Sequence, residues 1–346
     1  MGRVILVAGV SRYLGGRFAR ILTADPAVGR VIGVDVVPPP HDIGNADFVR
    51  ADIRNPVIAK VISRANVDTV VHMNVIATPT SAGGRVSMKE INVIGTMQLL
   101  AACQKAPSVR RLVVKSTAGV YGSSARDPAM FTEDTGAKLL PRSGWGKDSV
   151  EVEGYVRGFS RRRPDVDVIT LRLANFIGPE VRTALTDYFS LPVLPTVMGY
   201  DARLQFVHED DGLEALRLAA VGSATGTINV AGDGLIMLSQ AARLAGRPTV
   251  GIPPALTGMA GQLLSRSGLI DFTPEQMSFL SFGRGIDTSR MRRVLGFTPR
   301  FTTREAFEDF VRGRGLRGPL STGIVEQVES GLLGVLRRLE PVGRSS

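Results

Sequence analysis

Short runs of apolar, largely β-branched residues at 4–8, 31–35, 69–73, 111–115 and 167–172 alternate with helical stretches at 16–24, 56–63, 88–104 and 149–161. Runs that are apolar at nearly every position suit parallel strands covered on both faces. Strict β-α alternation of this kind implies an α/β fold, an open, doubly wound parallel sheet. Ligands of such sheets lie outside the carboxyl ends of the strands, so the loops there should carry the function.

The chain has 346 residues, enough for a large core in one domain with an appendage or in two domains. No apolar run approaches the roughly 18 residues that span a bilayer. The run at 4–8 is too short for a signal peptide and no small-residue cleavage site follows it. A single cysteine, Cys103, cannot form an internal disulfide, which favours a reducing, cytoplasmic setting. The formal net charge of +10 suits anionic partners. The densest basic run, Arg161-Arg162-Arg163, reads as a solvated helix end. No interleaving of aromatic and basic residues points to base stacking, so a nucleic-acid partner is not expected.

The loop after the first strand reads Gly9-Val10-Ser11-Arg12-Tyr13-Leu14-Gly15. A dinucleotide fold needs glycine here for a tight turn, for close backbone approach to the diphosphate, and for packing of helix on strand. Gly9 and Gly15 match the first and third roles, while Arg12 takes the middle one. Its guanidinium either reaches the phosphates, blocks part of their seat, or projects to solvent. Asp35 ends the second strand 20 residues past Gly15, where a carboxylate accepts from ribose hydroxyls and repels a 2′-phosphate. NAD is therefore expected over NADP. Asp52-Ile53 follows the next strand and could flank the adenine.

Further motifs fall in a set order: Val70-Val71-His72-Met73, Asn92-Val93-Ile94-Gly95-Thr96, Ser116-Thr117-Ala118-Gly119-Val120-Tyr121-Gly122, Leu171-Arg172-Leu173-Ala174-Asn175, Phe206-Val207-His208-Glu209-Asp210-Asp211 and Asp287-Thr288-Ser289-Arg290. Together they resemble the extended short-chain dehydrogenases/reductases, and within them the NAD-dependent epimerase/dehydratase group that includes UDP-glucose 4-epimerase. The resemblance implies NAD as cofactor, a nucleotide or nucleotide-sugar ligand, and a homodimer. It also implies a tyrosine acting as general acid/base on a sugar hydroxyl while hydride passes to or from nicotinamide. A lysine four residues later tunes that tyrosine, and a Ser or Thr hydrogen-bonds the reacting oxygen. Thr117 matches the last role and Asn92 a cofactor contact; Asn175 and Arg290 match substrate contacts by position. Gln205 stands where the resemblance implies an arginine near the substrate.

The tyrosine and lysine do not carry over. Aligning Gly146-Lys147, and placing Glu153 on the glutamate common later in that helix, needs no gap; it puts Trp145 at the tyrosine and Ser149 at the lysine. An indole N–H only donates, and a serine brings no positive charge. Lys147 is about 200° round a helix from the lysine position, and Tyr155 is about 15 Å along it from Trp145. Tyr121 is expected to pack beside the site.

The resemblance places a dinucleotide-binding domain at 1–178 with a returning segment at 201–234, and a substrate-binding lobe at 179–200 and 235–318. Ile324, Val325, Val328, Leu332, Val335, Leu336 and Leu339 recur at helical spacing in a tail at 319–346. The tail reads as a docking helix, with a peripheral membrane contact through 322–339 as the other reading. Three functions remain open: a dinucleotide-binding protein without the usual proton transfer, an active epimerase, dehydratase or reductase using another proton donor, and a membrane or partner-binding scaffold.

Overall fold

The computed structural model describes residues 2–74, 83–136, 141, 144–256 and 274–316. Strands β1 (Arg3–Ala8), β2 (Val28–Asp35), β3 (Asp47–Arg50), β4 (Thr69–His72), β5 (Arg111–Thr117), β6 (Asp167–Leu173) and β11 (Gly226–Val230) form one sheet in the order β11-β6-β5-β4-β1-β2-β3. Every neighbouring pair in it is parallel. The chain steps outward from β1 to β3, then returns to β4 on the other side of β1, so the winding reverses between β1 and β4. Ligands of such sheets bind outside the carboxyl ends of the strands at a switch point of this kind.

Alternate residues of each strand feed opposite cores, which is why the sequence shows continuous rather than alternating apolar runs. Ile5, Val7, Val71, Val113 and Ile169 pack with Phe18 and Leu22 of α1 (Tyr13–Thr23) and Leu216 of α7 (Glu209–Val221). Leu6, Ala8, Leu112 and Val114 pack with Ile58 and Ile62 of α2 (Val57–Arg64), Leu99 of α4 (Gly95–Lys105) and Phe159 of α5 (Gly144–Arg162). Each such side chain contributes roughly 1.5–3 kcal/mol by leaving water.

Two elements differ from their sequence pattern. The stretch expected as one helix at 88–104 is α3 (Arg85–Lys89), a π-helical turn at Glu90–Ile94, and α4. Such a turn widens the helix by one residue, and here it sets Asn92 fully inside. Apolar periodicity does not register a single inserted residue. Helix α5 begins at Gly144, five residues ahead of the expected 149, so Trp145 and Lys147 are helical.

A second core lies beyond the sheet. Phe189 of α6 (Ala184–Ser190) and Phe307 of α10 (Thr303–Gly313) meet edge to face with centroids 4.8 Å apart, and Phe206 stacks on Phe307 at 5.7 Å. Leu238 and Ala241 of α8 (Leu238–Ala245) and Leu280 of α9 (Pro274–Phe282) close the same cluster. Three two-stranded ribbons frame this region: β7 (Asn175–Ile177) with β10 (Phe206–His208), β8 (Leu194–Val197) with β13 (Thr249–Ile252), and β9 (Arg203–Leu204) with β12 (Ile236–Met237). Thr302 caps α10 through the Glu305 amide while Glu305 returns a bond to the Thr302 amide. Among the described residues no helix is long and apolar enough to cross a membrane. The tail segment 322–339 lies outside them.

Candidate functional site

The glycine loop leaves β1 at the switch point. Gly9 has φ +102°, a conformation that strains any other residue, and a Cβ there would run into the Asn74 side chain. A Cβ on Gly15 would strike the Gly9 carbonyl, so helix α1 can sit this close to the strand only as glycine. Asp35 lies beside this turn: one carboxylate oxygen accepts from the Ser11 amide at 3.0 Å, the other from the Val36 amide at 2.8 Å. Arg12 is the N-cap residue of α1, half-buried, and burial holds its pKa below the usual guanidinium value although Asp35 pulls the other way. Glycines at the two tight points of this turn, with a carboxylate at the next strand end, fit the diphosphate and ribose of a dinucleotide.

At the end of β3 the side chains are tied together more closely than the sequence implies. Asp52 is clamped by Arg54, whose Nε and Nη2 lie 3.0 and 2.7 Å from its oxygens, and Arg54 also reaches Glu90 at 3.2 Å. The bond to Arg54 holds the Asp52 carboxyl below its ordinary pKa. Ile53 is buried, and the turn at Gly95 leaves room for its methyl, 2.8 Å from where a Cβ would be.

One face of α5 is turned onto the sheet. Residues 145, 149 and 153 are spaced i, i+4, i+8 and share a face. Glu153 fixes which way it points: buried, it accepts from Ser116 Oγ of β5 at 2.7 Å and from Arg172 Nη2 of β6 at 2.7 Å. Trp145 and Ser149 are thereby turned toward the carboxyl ends of β5 and β6. The Trp145 ring lies on the backbone of Gly119, where a Cβ would come within 2.7 Å of Cζ3. Ser149 is buried, and its hydroxyl donates back to the Trp145 carbonyl at 2.8 Å. Lys147 and Tyr155 are both exposed.

Thr117 ends β5 next to this face. Its Oγ1 accepts from the Gly119 amide at 3.0 Å, capping a short 3-10 turn at Ala118–Tyr121. That bond uses a lone pair and leaves the hydroxyl proton available. Tyr121 packs beside the site, as expected. Its hydroxyl accepts from Arg172 at 2.8 Å, donates to Asn229 Oδ1 at 2.8 Å, and its ring stacks on Phe131 at 4.6 Å. Burial raises its pKa, against the opposing pull of Arg172 and Asn229.

Asn92 meets Asp148, with Nδ2 3.3 Å from Oδ2. Asp148 is fully buried and held bidentately by Arg85 of α3 at 2.6 and 2.7 Å; Arg85 also binds the Gly144 carbonyl at 2.8 Å. The sequence reading missed this latch, since nothing local in α5 points to a guanidinium 63 residues away.

On the substrate side, Asn175 opens β7 half-buried, with no side-chain hydrogen bond among the described residues. Arg290 reaches Asp134 at 2.9 Å and, more weakly, the Thr227 carbonyl at 3.4 Å. Gln205 is a buried latch: its Nε2 donates to the Gly232 carbonyl at 3.1 Å and its Oε1 accepts from the Ile286 amide at 2.7 Å. His208 caps α7 through the Asp210 amide and stacks on Phe301 at 4.0 Å, a packing role. Among the described residues no three metal-binding side chains converge. Cys103 is buried, which pushes its thiol up to about 12 and leaves it inert.

The chain matches the family described as "Epimerase: NAD dependent epimerase/dehydratase family" over residues 5–231. It is 48% identical over 340 residues to Rv0501, an uncharacterized protein of Mycobacterium tuberculosis, covering 97% of this chain and 90% of that one. Its fold is similar to that of DesIV, a dTDP-glucose 4,6-dehydratase of Streptomyces venezuelae solved with NAD and TYD bound, with a TM-score of 0.69, 23% identity, and coverage of 90% of this chain and 96% of that chain. The UDP-glucose 4-epimerase of Thermotoga maritima, solved with UDP-glucose, gives 0.68 at 18% identity, with 90% and 98% covered. These two likenesses carry the fold. With the switch point, the glycine turn and a family match spanning more than half its length, the chain belongs to the NAD dependent epimerase/dehydratase family and resembles its nucleotide-sugar epimerases.

Proposed function

We propose that this protein binds NAD and a nucleotide sugar but does not move the sugar's proton through the family's tyrosine–lysine pair. The observation that carries this is the inward face of α5, where an indole lies on Gly119 and the Ser149 hydroxyl is spent on the Trp145 carbonyl. Neither group exchanges a proton near neutral pH. The glycine loop would take the diphosphate, Asp35 the adenosine ribose, Asp52 and Ile53 the adenine edge, and Asn92 the region beside α5. Bound there, the nicotinamide supplies two-electron chemistry. The residues around it hold rather than activate: Thr117 donates its hydroxyl proton to the sugar oxygen, and Trp145 offers an N–H with no partner among the described residues. In this reading the sheet unit holds the dinucleotide, and the sugar nucleotide is held between Asn175, at the end of that unit, and Arg290 of the lobe at 179–200 and 235–318. The resemblance further supports a homodimer, which light scattering tests.

Trp145 is the only tryptophan of the chain, so its fluorescence reports from the site itself. Titration with NAD, NADH and UDP-sugars, read by calorimetry and by this fluorescence, should show saturable binding of both ligand classes. No affinity for any dinucleotide would overturn the reading. Turnover of a UDP-hexose would overturn its second half.

A further inference from the structure

Lys115 stands in β5 directly after Leu112-Val113-Val114 and two residues before Thr117. Strand alternation puts its side chain on the same face as Val113, which packs in the core on the α1 side. It is half-buried there, and its ammonium has no hydrogen bond or ion pair among the described residues. The charge acting on it is a like charge: burial and the Arg12 guanidinium together push the Lys115 pKa down to about 8. Lys115 also acts on His72 of β4. The histidine is fully buried and stays neutral, its pKa pushed down to about 4 by burial and by Lys115.

Arg12 leaves the glycine loop after β1, and Lys115 comes from β5 on the far side of β4. Because β1 and β5 flank β4, with Ala8 opposite His72 and His72 opposite Val114, the two residues stand at the same carboxyl edge of the sheet on either side of β4. Bringing like charges together at this partly desolvated edge costs free energy, and Lys115 has no carboxylate to offset it. An anion there removes that cost. Arg12 also fills the loop position where a glycine would let backbone amides approach a phosphate.

We propose that Lys115 and Arg12 form a two-cation clamp on a diphosphate at the β1–β4 switch point, and that the diphosphate is the dinucleotide's. The clamp rests on the dinucleotide-binding reading above. It makes up for part of the close backbone approach that the Arg12 side chain prevents, and it places a positive charge at the end of β5 where α5 supplies none.

The experiment is calorimetric titration of the full chain with NADH and, separately, with a UDP-sugar, at pH 7 and pH 9, for the wild type, Lys115→Met and Lys115→Arg. The clamp predicts that Lys115→Met weakens NADH by at least about tenfold at pH 7, the scale of one hydrogen bond to a charged group. UDP-sugar affinity should hold, and Lys115→Arg should recover most of the loss. Wild-type NADH affinity should fall between pH 7 and 9 as the free ammonium loses its proton, while that of Lys115→Met stays flat. Lys115→Met should also unfold at a higher urea concentration without ligand, because an unpaired cation has gone. Equal NADH affinity in wild type and Lys115→Met, or a loss confined to the UDP-sugar, overturns the clamp. A wild type that binds no dinucleotide overturns instead the reading on which the clamp rests.

Discussion

Gly119 and Trp145 should behave as one unit. Gly119 lies in a 3-10 turn with no left-handed backbone angle, so alanine is conformationally acceptable there. With the indole removed, Gly119→Ala should stabilise by roughly 0.4–1 kcal/mol through the unfolded chain. With the indole in place, the new Cβ falls 2.7 Å from Cζ3 and 3.1 Å from Cζ2 of a rigid ring. Overpacking of that kind costs roughly 1–3 kcal/mol. A double-mutant cycle of Gly119→Ala with Trp145→Ala should therefore give a coupling of about 2 kcal/mol or more. Urea denaturation of the four proteins measures it. Coupling under about 0.5 kcal/mol, the level of independent sites, would mean that the ring does not lie on Gly119. The seating of Trp145 beside Thr117 would then fall with it.

Other outcomes follow from the buried polar groups. Arg85→Met strands the fully buried Asp148 carboxylate and should cost about 3 kcal/mol; Arg85→Met combined with Asp148→Asn should recover much of this in urea melts. Tyr121→Phe removes one bond from Arg172 Nη1 and the donor to the buried Asn229 Oδ1, so it should cost about 1–3 kcal/mol of stability while NADH affinity holds. His72 binds fewer protons folded than unfolded, because its folded pKa of about 4 lies below the ordinary 6.5. Its contribution is therefore intact above pH 6.5 and lost as the pH falls toward 4, by up to about 3 kcal/mol. Urea melts of His72→Asn across that window should lack this component of the slope.

The sheet was legible because its inner strands β1, β4 and β5 are buried on both faces and so write continuous apolar runs. Glu153, two turns on from Trp145, is bound to β5 and β6, so the spacing 145, 149, 153 read from the sequence is one face of α5 turned onto the sheet. What escaped the sequence depends on partners far along the chain. Gly119 reads as one more turn glycine until an indole from residue 145 is found against it. Asp52 looks free for an adenine, yet Arg54 holds it. Gln205 looks like a substrate-side arginine gone missing, whereas both ends of its amide are used on backbone. Lys115 did leave a trace, a lysine at the end of a buried strand, but its closeness to Arg12 exists only after β4 and β5 pair.

Absorbance in the reduced-nicotinamide band, followed after mixing the NAD-loaded protein with a UDP-hexose while Trp145 fluorescence reports occupancy, tests the central claim most directly. The account predicts a saturable fluorescence change on adding the sugar nucleotide and no rise in that band. A stoichiometric rise would show that a proton leaves the sugar without the tyrosine–lysine pair, and would contradict it.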